Sequence, residues 1–165
     1  MTDASRRDPV VTLTWSELRS AAMVGVTRRV QDMAKGLKDA HGASDGDRWD
    51  RDIEGAAGEM AFAKWANMFW SGALGDLKAD DVGDVQIRTS AYASGRLILH
   101  PADPDDRIFV LVTGIGPRYT LRGWLHANEG KAPHFWQDPT GKNRHAFFVP
   151  GASLRPMSQF PGRKN

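Results

Sequence analysis

Asp80-Asp81-Val82-Gly83-Asp84-Val85-Gln86-Ile87-Arg88-Thr89-Ser90 is the stretch of this sequence that says most about the fold. An acidic turn at Gly83 leads into a period-two alternation, which predicts a β-strand. Side chains two residues apart on a strand share a face, so Gln86 and Arg88 are expected side by side near the turn carboxylates. Phosphodiester hydrolysis with Mg²⁺ uses oxygen ligands and a neighbouring cation, and the stretch therefore predicts a compact metal-and-phosphate site.

A long helix is predicted near the N-terminus. Residues 14–17 form a capping box in which Thr14 and Glu17 satisfy each other's backbone amides. Apolar residues then recur at three- and four-residue steps between Trp15 and Leu37, and His41-Gly42 is the predicted end. The resulting apolar stripe is suited to packing within the domain or against a partner.

A second helix is predicted from about residue 47 to residue 69. Glu59 lies on it between Ala56 and Ala63, at helical spacing. Small neighbours of this kind would let the helix approach a sheet closely, with Glu59 pointing inward. A solvated Glu59 at the rim of the helix fits the same spacing, and the pattern alone leaves both interpretations open.

Downstream of residue 84 the sequence reads as a series of strands separated by Gly- and Pro-rich turns, predicted at 84–89, 96–100, 107–113, 119–126 and 146–149. The expected fold is α+β, with two N-terminal helices followed by a mixed, mostly antiparallel central sheet. A single domain is predicted over residues 14–156, between a flexible N-terminus (1–13) and a flexible C-terminal tail (157–165).

Composition narrows the class of protein. The 165-residue chain has no cysteine, which excludes disulfides, thiolate metal sites and a thiol nucleophile. No apolar run approaches the ~20 residues of a membrane span, and the first residues lack the apolar core of a signal peptide. We therefore expect no membrane association and a cytoplasmic location.

Charge is unevenly distributed along the chain. Residues 118–165 hold eight Lys and Arg against two acids, so that this part carries +6 and residues 1–117 carry −4 of the total of +2. Bases interleave with aromatic residues there, which suits phosphate contacts and base stacking. A solvated basic tail explains the same numbers. The predicted nucleic-acid-binding residues are Arg118, Arg122, Lys131, Trp136, Lys142 and Arg144.

The order of a helical Glu, a turn Asp and a strand with (Glu/Gln)-x-(Lys/Arg) resembles the PD-(D/E)XK, or restriction-endonuclease-like, nuclease superfamily. The likeness to phage-encoded members covers about residues 49–155 and rests on four ordered segments: 52–61, 81–89, 109–114 and 123–125. It implies a restriction-endonuclease-like fold and a nuclease that hydrolyses phosphodiester bonds of duplex or branched DNA with Mg²⁺ or Mn²⁺. It also implies the host cytoplasm for a phage protein and allows a homodimer.

By that resemblance Glu59 is the helical acid, Asp81 the principal metal ligand, Gln86 the second strand ligand and Arg88 the residue in place of the motif lysine. Asp84 is the alternative metal ligand at the turn. The sequence departs from the superfamily pattern at Gln86 and Arg88; an Arg stays protonated and stabilises charge but is a poor general base. The alternative hypotheses are a weak or inactive nuclease-fold module that binds nucleic acid or serves as a phage accessory protein, and a protein-interaction domain.

Overall fold

The structure is a computed structural model that describes residues 6–36, 45–73 and 81–163. Within these ranges it contains three helices, α1 (Trp15–Ala34), α2 (Asp45–Ala66) and α3 (Ala127–Gly130). The α+β class is confirmed. The prediction of only two helices, both before the sheet, is wrong. A strand precedes α1, and the four-residue α3 lies among the strands. This strand and α3 are too short to show a period in the sequence. No helix of the described ranges has the length and apolar character of a membrane span.

The strands of the described ranges form two sheets. They are β1 (Val10–Thr12), β2 (Val85–Ser90), β3 (Leu97–Leu99), β4 (Ile108–Ile115), β5 (Arg118–His126), β6 (Trp136–Gln137) and β7 (Ala146–Val149). One sheet has the order β1-β5-β4-β2 and the other β3-β7-β6. Of the pairs described, β2 with β4 is parallel and the rest are antiparallel. The pairing is therefore mixed and mostly antiparallel, as predicted, but it is divided between two sheets.

Helix α1 begins as predicted and buries an unexpected face. Thr14 Oγ1 accepts from the Glu17 amide at 3.2 Å, and Glu17 accepts from the Thr14 amide at 2.7 Å. The helix ends at Ala34, and the predicted end at His41-Gly42 lies outside the described residues. The face turned inward carries Ala21, Gly25 and Arg29. The predicted apolar stripe is exposed at Trp15, Val26, Val30 and Met33.

Helices α1 and α2 lie very close together, and this explains which face of α1 is buried. A Cβ at Gly25 would lie 2.5 Å from the carbonyl oxygen of Asp52 and from the Cα of Ile53. Such an approach requires glycine on α1 at this point, whatever the hydrophobicity of the other faces. On α2, Gly58 makes the matching approach to β2, where its Cβ would meet the hydroxyl of Thr89. The two glycines thus set α2 between α1 and the edge strand β2.

The four-stranded sheet separates two hydrophobic cores. Alternate residues of β2 and β4, among them Val85, Ile87 and Val110, pack against α2. Phe109 and Leu111 on the opposite face of β4 pack with β3 and β7. Because β2 pairs in register with β4, the side chains of β2 are divided between the same two faces.

Both ends of the chain contribute to the domain. Val10–Thr12, in the segment predicted to be flexible, form β1 and pair with β5. Beyond residue 156, Met157 and Phe160 are buried in the core on the α2 side. The rings of Phe160 and Phe62 meet edge to face, with their centroids 5.4 Å apart. The folded unit therefore includes residues on either side of the predicted boundaries 14 and 156.

Candidate functional site

A polar cleft of about 330 Å³ lies between α1, α2 and the edge strand β2. We call it the arginine cleft, because five arginines and three carboxylates of the described residues line it, an excess of two positive charges. It is lined by Arg28, Arg29, Arg48, Arg51, Asp52, Gly55, Glu59, Asp81, Ile87, Arg88 and Thr89. Three of the four predicted catalytic residues, Glu59, Asp81 and Arg88, are therefore brought together at one place.

Glu59 is buried, with 6% of its surface exposed. Its two carboxylate oxygens accept from Arg28 Nη1 at 2.7 Å and from Nη2 at 3.0 Å. Trp70 Nε1 donates a third hydrogen bond of 2.9 Å to Oε2. The inward orientation was one of the two open interpretations, and the neighbouring Ala56 and Ala63 are buried with it. Glu59 is thus a buried anion held by a two-pronged arginine contact.

Arg28 lies at the centre of the charges of the cleft. Its Nε donates to the carbonyl of Ala73 at 3.1 Å, so that one side chain joins α1, α2 and the segment after α2. Burial alone would lower the Arg28 pKa, but the hydrogen bonds and charge of Glu59, with the charges of Asp81 and Asp52, raise it. Arg28 therefore interacts with all three carboxylates of the cleft and is fully charged.

Asp81 occupies the entrance to β2. Its Oδ2 accepts from the backbone amide of Ile87 at 2.6 Å, which fixes the carboxylate against the edge strand. Burial, and next the charge of Glu59, raise the pKa of Asp81 to about 6, while the Ile87 hydrogen bond and the charges of Arg88 and Arg28 act in the opposite direction. Asp84, the alternative ligand, is exposed in the turn and does not line the cleft.

Gln86 and Arg88 share a face of β2, as the alternation predicted, but this is the face opposite to α2. Gln86 is in register with Phe109 and does not line the cleft. The guanidinium of Arg88 lies 5.0 Å from the centre of the Phe109 ring and donates to Asp103 at 3.3 Å. Arg88 reaches the cleft around the edge of the sheet, whereas Gln86 and Glu59 are on different sides of it.

The predicted nucleic-acid-binding residues are dispersed over the surface. Arg118 is exposed at the start of β5. Arg122 donates to Thr113 Oγ1 at 2.8 Å and forms an ion pair with Asp8 at 3.4 Å. Lys131 is held inside the turn at 101–105, where it contacts two backbone carbonyls and donates to the Asp105 carboxylate at 2.6 Å. Its role in the structure is to close that turn.

The other predicted contacts lie on the three-stranded sheet. Trp136 is 41% exposed. Its ring stacks on His145 with a centroid distance of 5.5 Å and an interplanar angle of 17°. Lys142 and Arg144 are exposed in the connection between β6 and β7. These residues form a mixed aromatic and basic surface that is separate from the arginine cleft.

The sequence-based prediction of basic site residues was confined to the C-terminal third, and it did not include four arginines of the cleft: Arg28, Arg29, Arg48 and Arg51. A signal was present. Residues 48, 51, 52, 55 and 59 follow the three- and four-residue steps of one face of α2, with bases and acids together. The contribution of α1 had no such signal, because the neighbouring apolar residues indicated a different face.

A divalent cation fits this site only in part. Mg²⁺ in proteins is commonly held by one or two carboxylates together with substrate phosphates. Asp81 meets that requirement, whereas Glu59 does so only when Arg28 releases it, and Gln86 lies outside the cleft. Among the described residues, no group of three or more His, Cys, Asp or Glu side chains could hold a metal ion.

Comparison of the chain with protein-family models, with curated proteins and with solved structures finds no match.

Proposed function

We propose that this protein binds nucleic acid by holding a phosphate of the backbone in the arginine cleft. The observation that carries the proposal is the gathering of five arginines around three carboxylates between α1, α2 and β2. Arginine is the side chain best suited to phosphate, because its planar fork donates two parallel hydrogen bonds and keeps its charge when buried.

An unsatisfied donor in the cleft supports the same proposal. Arg29 is 5% exposed, and its Nε has no hydrogen-bond partner in the described part of the protein. A buried donor without a partner costs about 1–3 kcal/mol. An anion, with several acceptor oxygens, would satisfy such a donor and neutralise the excess positive charge.

The test is the binding of a fluorescent DNA duplex, measured by anisotropy over a range of salt concentrations. Arg51→Ala removes an exposed arginine of the cleft, and Arg19→Ala removes an exposed arginine of α1 that does not line it. Loss of one phosphate contact should weaken binding to all sequences alike and reduce the salt slope by about 1. The proposal fails if wild type does not bind, or if both variants bind equally well.

A second candidate function is hydrolysis of the bound phosphodiester with Mg²⁺ or Mn²⁺. It is favoured by the nearness of Glu59 and Asp81, because the charge of Glu59 raises the pKa of Asp81 and a cation would relieve that repulsion. Asp81, with Glu59 after release from Arg28, would hold the cation, and the cation would neutralise phosphate charge and activate water. Arg88 would contact the phosphate from the edge of β2.

Cleavage of supercoiled plasmid with Mg²⁺ or Mn²⁺ tests this candidate. Asp81→Ala should abolish cutting, whereas Asp84→Ala, the same change at an exposed position three residues away, should not. Cutting that persists after Asp81→Ala excludes Asp81 as the metal ligand, and DNA binding without cutting by wild type leaves the binding function alone. The homodimer stays a prediction, which the molecular mass in solution tests.

A further inference from the structure

A second polar cleft, of about 450 Å³, lies where the N-terminal segment meets β5 and the connection that follows β2. Arginines from three distant parts of the chain, Arg6, Arg96 and Arg122, line it, and Asp8 is the one carboxylate that the described residues contribute. The cleft thus has an excess of two positive charges, as the arginine cleft does.

Two of these arginines are fixed in position. Arg6 donates from Nε to Asp8 at 3.1 Å, from Nη1 to the carbonyl of Leu154 at 2.8 Å and from Nη2 to the carbonyl of Arg122. Arg122 in turn forms an ion pair with the same Asp8 carboxylate at 3.4 Å. One carboxylate therefore serves two guanidinium groups, and neither has to be ordered when a ligand binds.

Arg96 is different, because it is exposed and its contact is with a neutral group. Its Nη1 donates to Gln137 Oε1 at 3.0 Å. Like charges gathered around a single carboxylate repel one another, and an anion with several oxygens would relieve the repulsion. Three arginines around one carboxylate supply the charge and the donors that a phosphate requires, and two of the three are already held in position.

A short stretch of chain connects the residues that line the two clefts. Arg88 and Thr89 of β2 line the arginine cleft, and residues 93–96, which follow β2 almost directly, line the second cleft. Ser90, the last residue of β2, is in register with Thr113, whose hydroxyl accepts from Arg122. A nucleic-acid strand that follows the chain from Arg88 to Arg96 would meet both clefts.

We propose that the second cleft, formed by Arg6, Arg96 and Arg122, binds another phosphate of the nucleic-acid strand held in the arginine cleft. This inference rests on the proposed function and adds a second phosphate contact to it. Inorganic phosphate offers the same oxygens, so the experiment includes it as a separate probe.

The experiment measures the affinity of labelled single-stranded oligonucleotides of about 4 and about 12 nucleotides, a range of lengths that single-strand binding sites cover. Arg96→Ala is the test variant, because Arg96 is exposed, and Arg19→Ala is the matched control. With the longer oligonucleotide, Arg96→Ala should reduce the salt slope by about 1. The double variant Arg51→Ala/Arg96→Ala should reduce it by about 2. With the shorter one, the effect of Arg96→Ala should be smaller.

The outcomes separate this inference from the proposed function. If wild type binds, Arg51→Ala weakens binding and Arg96→Ala behaves like Arg19→Ala, the second cleft is not a phosphate site and the proposed function stands. If wild type binds neither single-stranded oligonucleotide, this inference fails, and the duplex-binding experiment decides the proposed function separately. A third outcome also overturns the inference: wild type binds inorganic phosphate but no oligonucleotide, and Arg96→Ala no longer binds the phosphate. The cleft would then be a site for a free anion. Unchanged thermal unfolding of Arg96→Ala shows that folding is not the cause.

Discussion

The pair of Arg28 and Glu59 supplies the sharpest test of the cleft, because its removal has a predictable cost. Arg28→Ala would leave the Glu59 carboxylate buried, with the hydrogen bond from Trp70 as the one contact that the described residues then supply. Breaking a buried ion pair by removing one partner costs about 3–5 kcal/mol. The Arg28 side chain is 25% exposed and that of Glu59 7%, so water can replace the guanidinium in part, and we expect a loss near the lower limit, about 3 kcal/mol.

The assay is equilibrium unfolding in urea at pH 7, with the double variant Arg28→Ala/Glu59→Gln as the control. The amide that replaces the Glu59 carboxylate would carry no charge and would still accept from Trp70. The double variant should therefore lose only about 1–2 kcal/mol and be more stable than Arg28→Ala alone. A loss below about 1 kcal/mol for Arg28→Ala, or a double variant no more stable than the single one, would refute the assignment of Glu59 as a buried, charged partner of Arg28.

Three further predictions concern stability and the role of single residues. Asp81 has a pKa of about 6 in the folded protein, against 3.8 ordinarily, so the folded state binds the proton more tightly than the unfolded state does. The free energy of unfolding should therefore fall by on the order of 2–3 kcal/mol from pH 4 to pH 7. In Asp81→Asn, measured by urea unfolding at each pH, this part of the fall should be absent. Gly25→Ala should destabilise the protein by about 1–3 kcal/mol, because the new Cβ meets the backbone of α2. Gly55→Ala has open space around the new Cβ and should stabilise the protein by up to about 1 kcal/mol. Similar thermal midpoints for the two variants would contradict the close approach of the helices. Lys131→Ala should lower stability by about 1–2 kcal/mol through the turn at 101–105 and leave the affinity for DNA unchanged, which anisotropy would show.

The local features of this protein could be predicted from its sequence. The capping box at Thr14 set the first residue of α1, and the alternation after Gly83 set the strand β2 and the common face of Gln86 and Arg88. The predicted strands downstream lie within two residues of their predicted limits, whereas the two-residue β6 was not predicted. These features depend on residues near one another in the chain, and periodicity reports them directly.

Which faces meet depends on contacts between residues that are far apart in the chain. Glu59 points inward because Arg28, 31 residues earlier, supplies a charge for it, and no local pattern contains that pairing. The exposed apolar stripe of α1 shows the same limit, since the approach at Gly25 selected a face that hydrophobicity does not mark. The acidic turn at 80–90 contributes Asp81 to the cleft, but α1 and α2 supply four of its five arginines. The charge of a site depends on every element packed around it, and periodicity describes one element at a time.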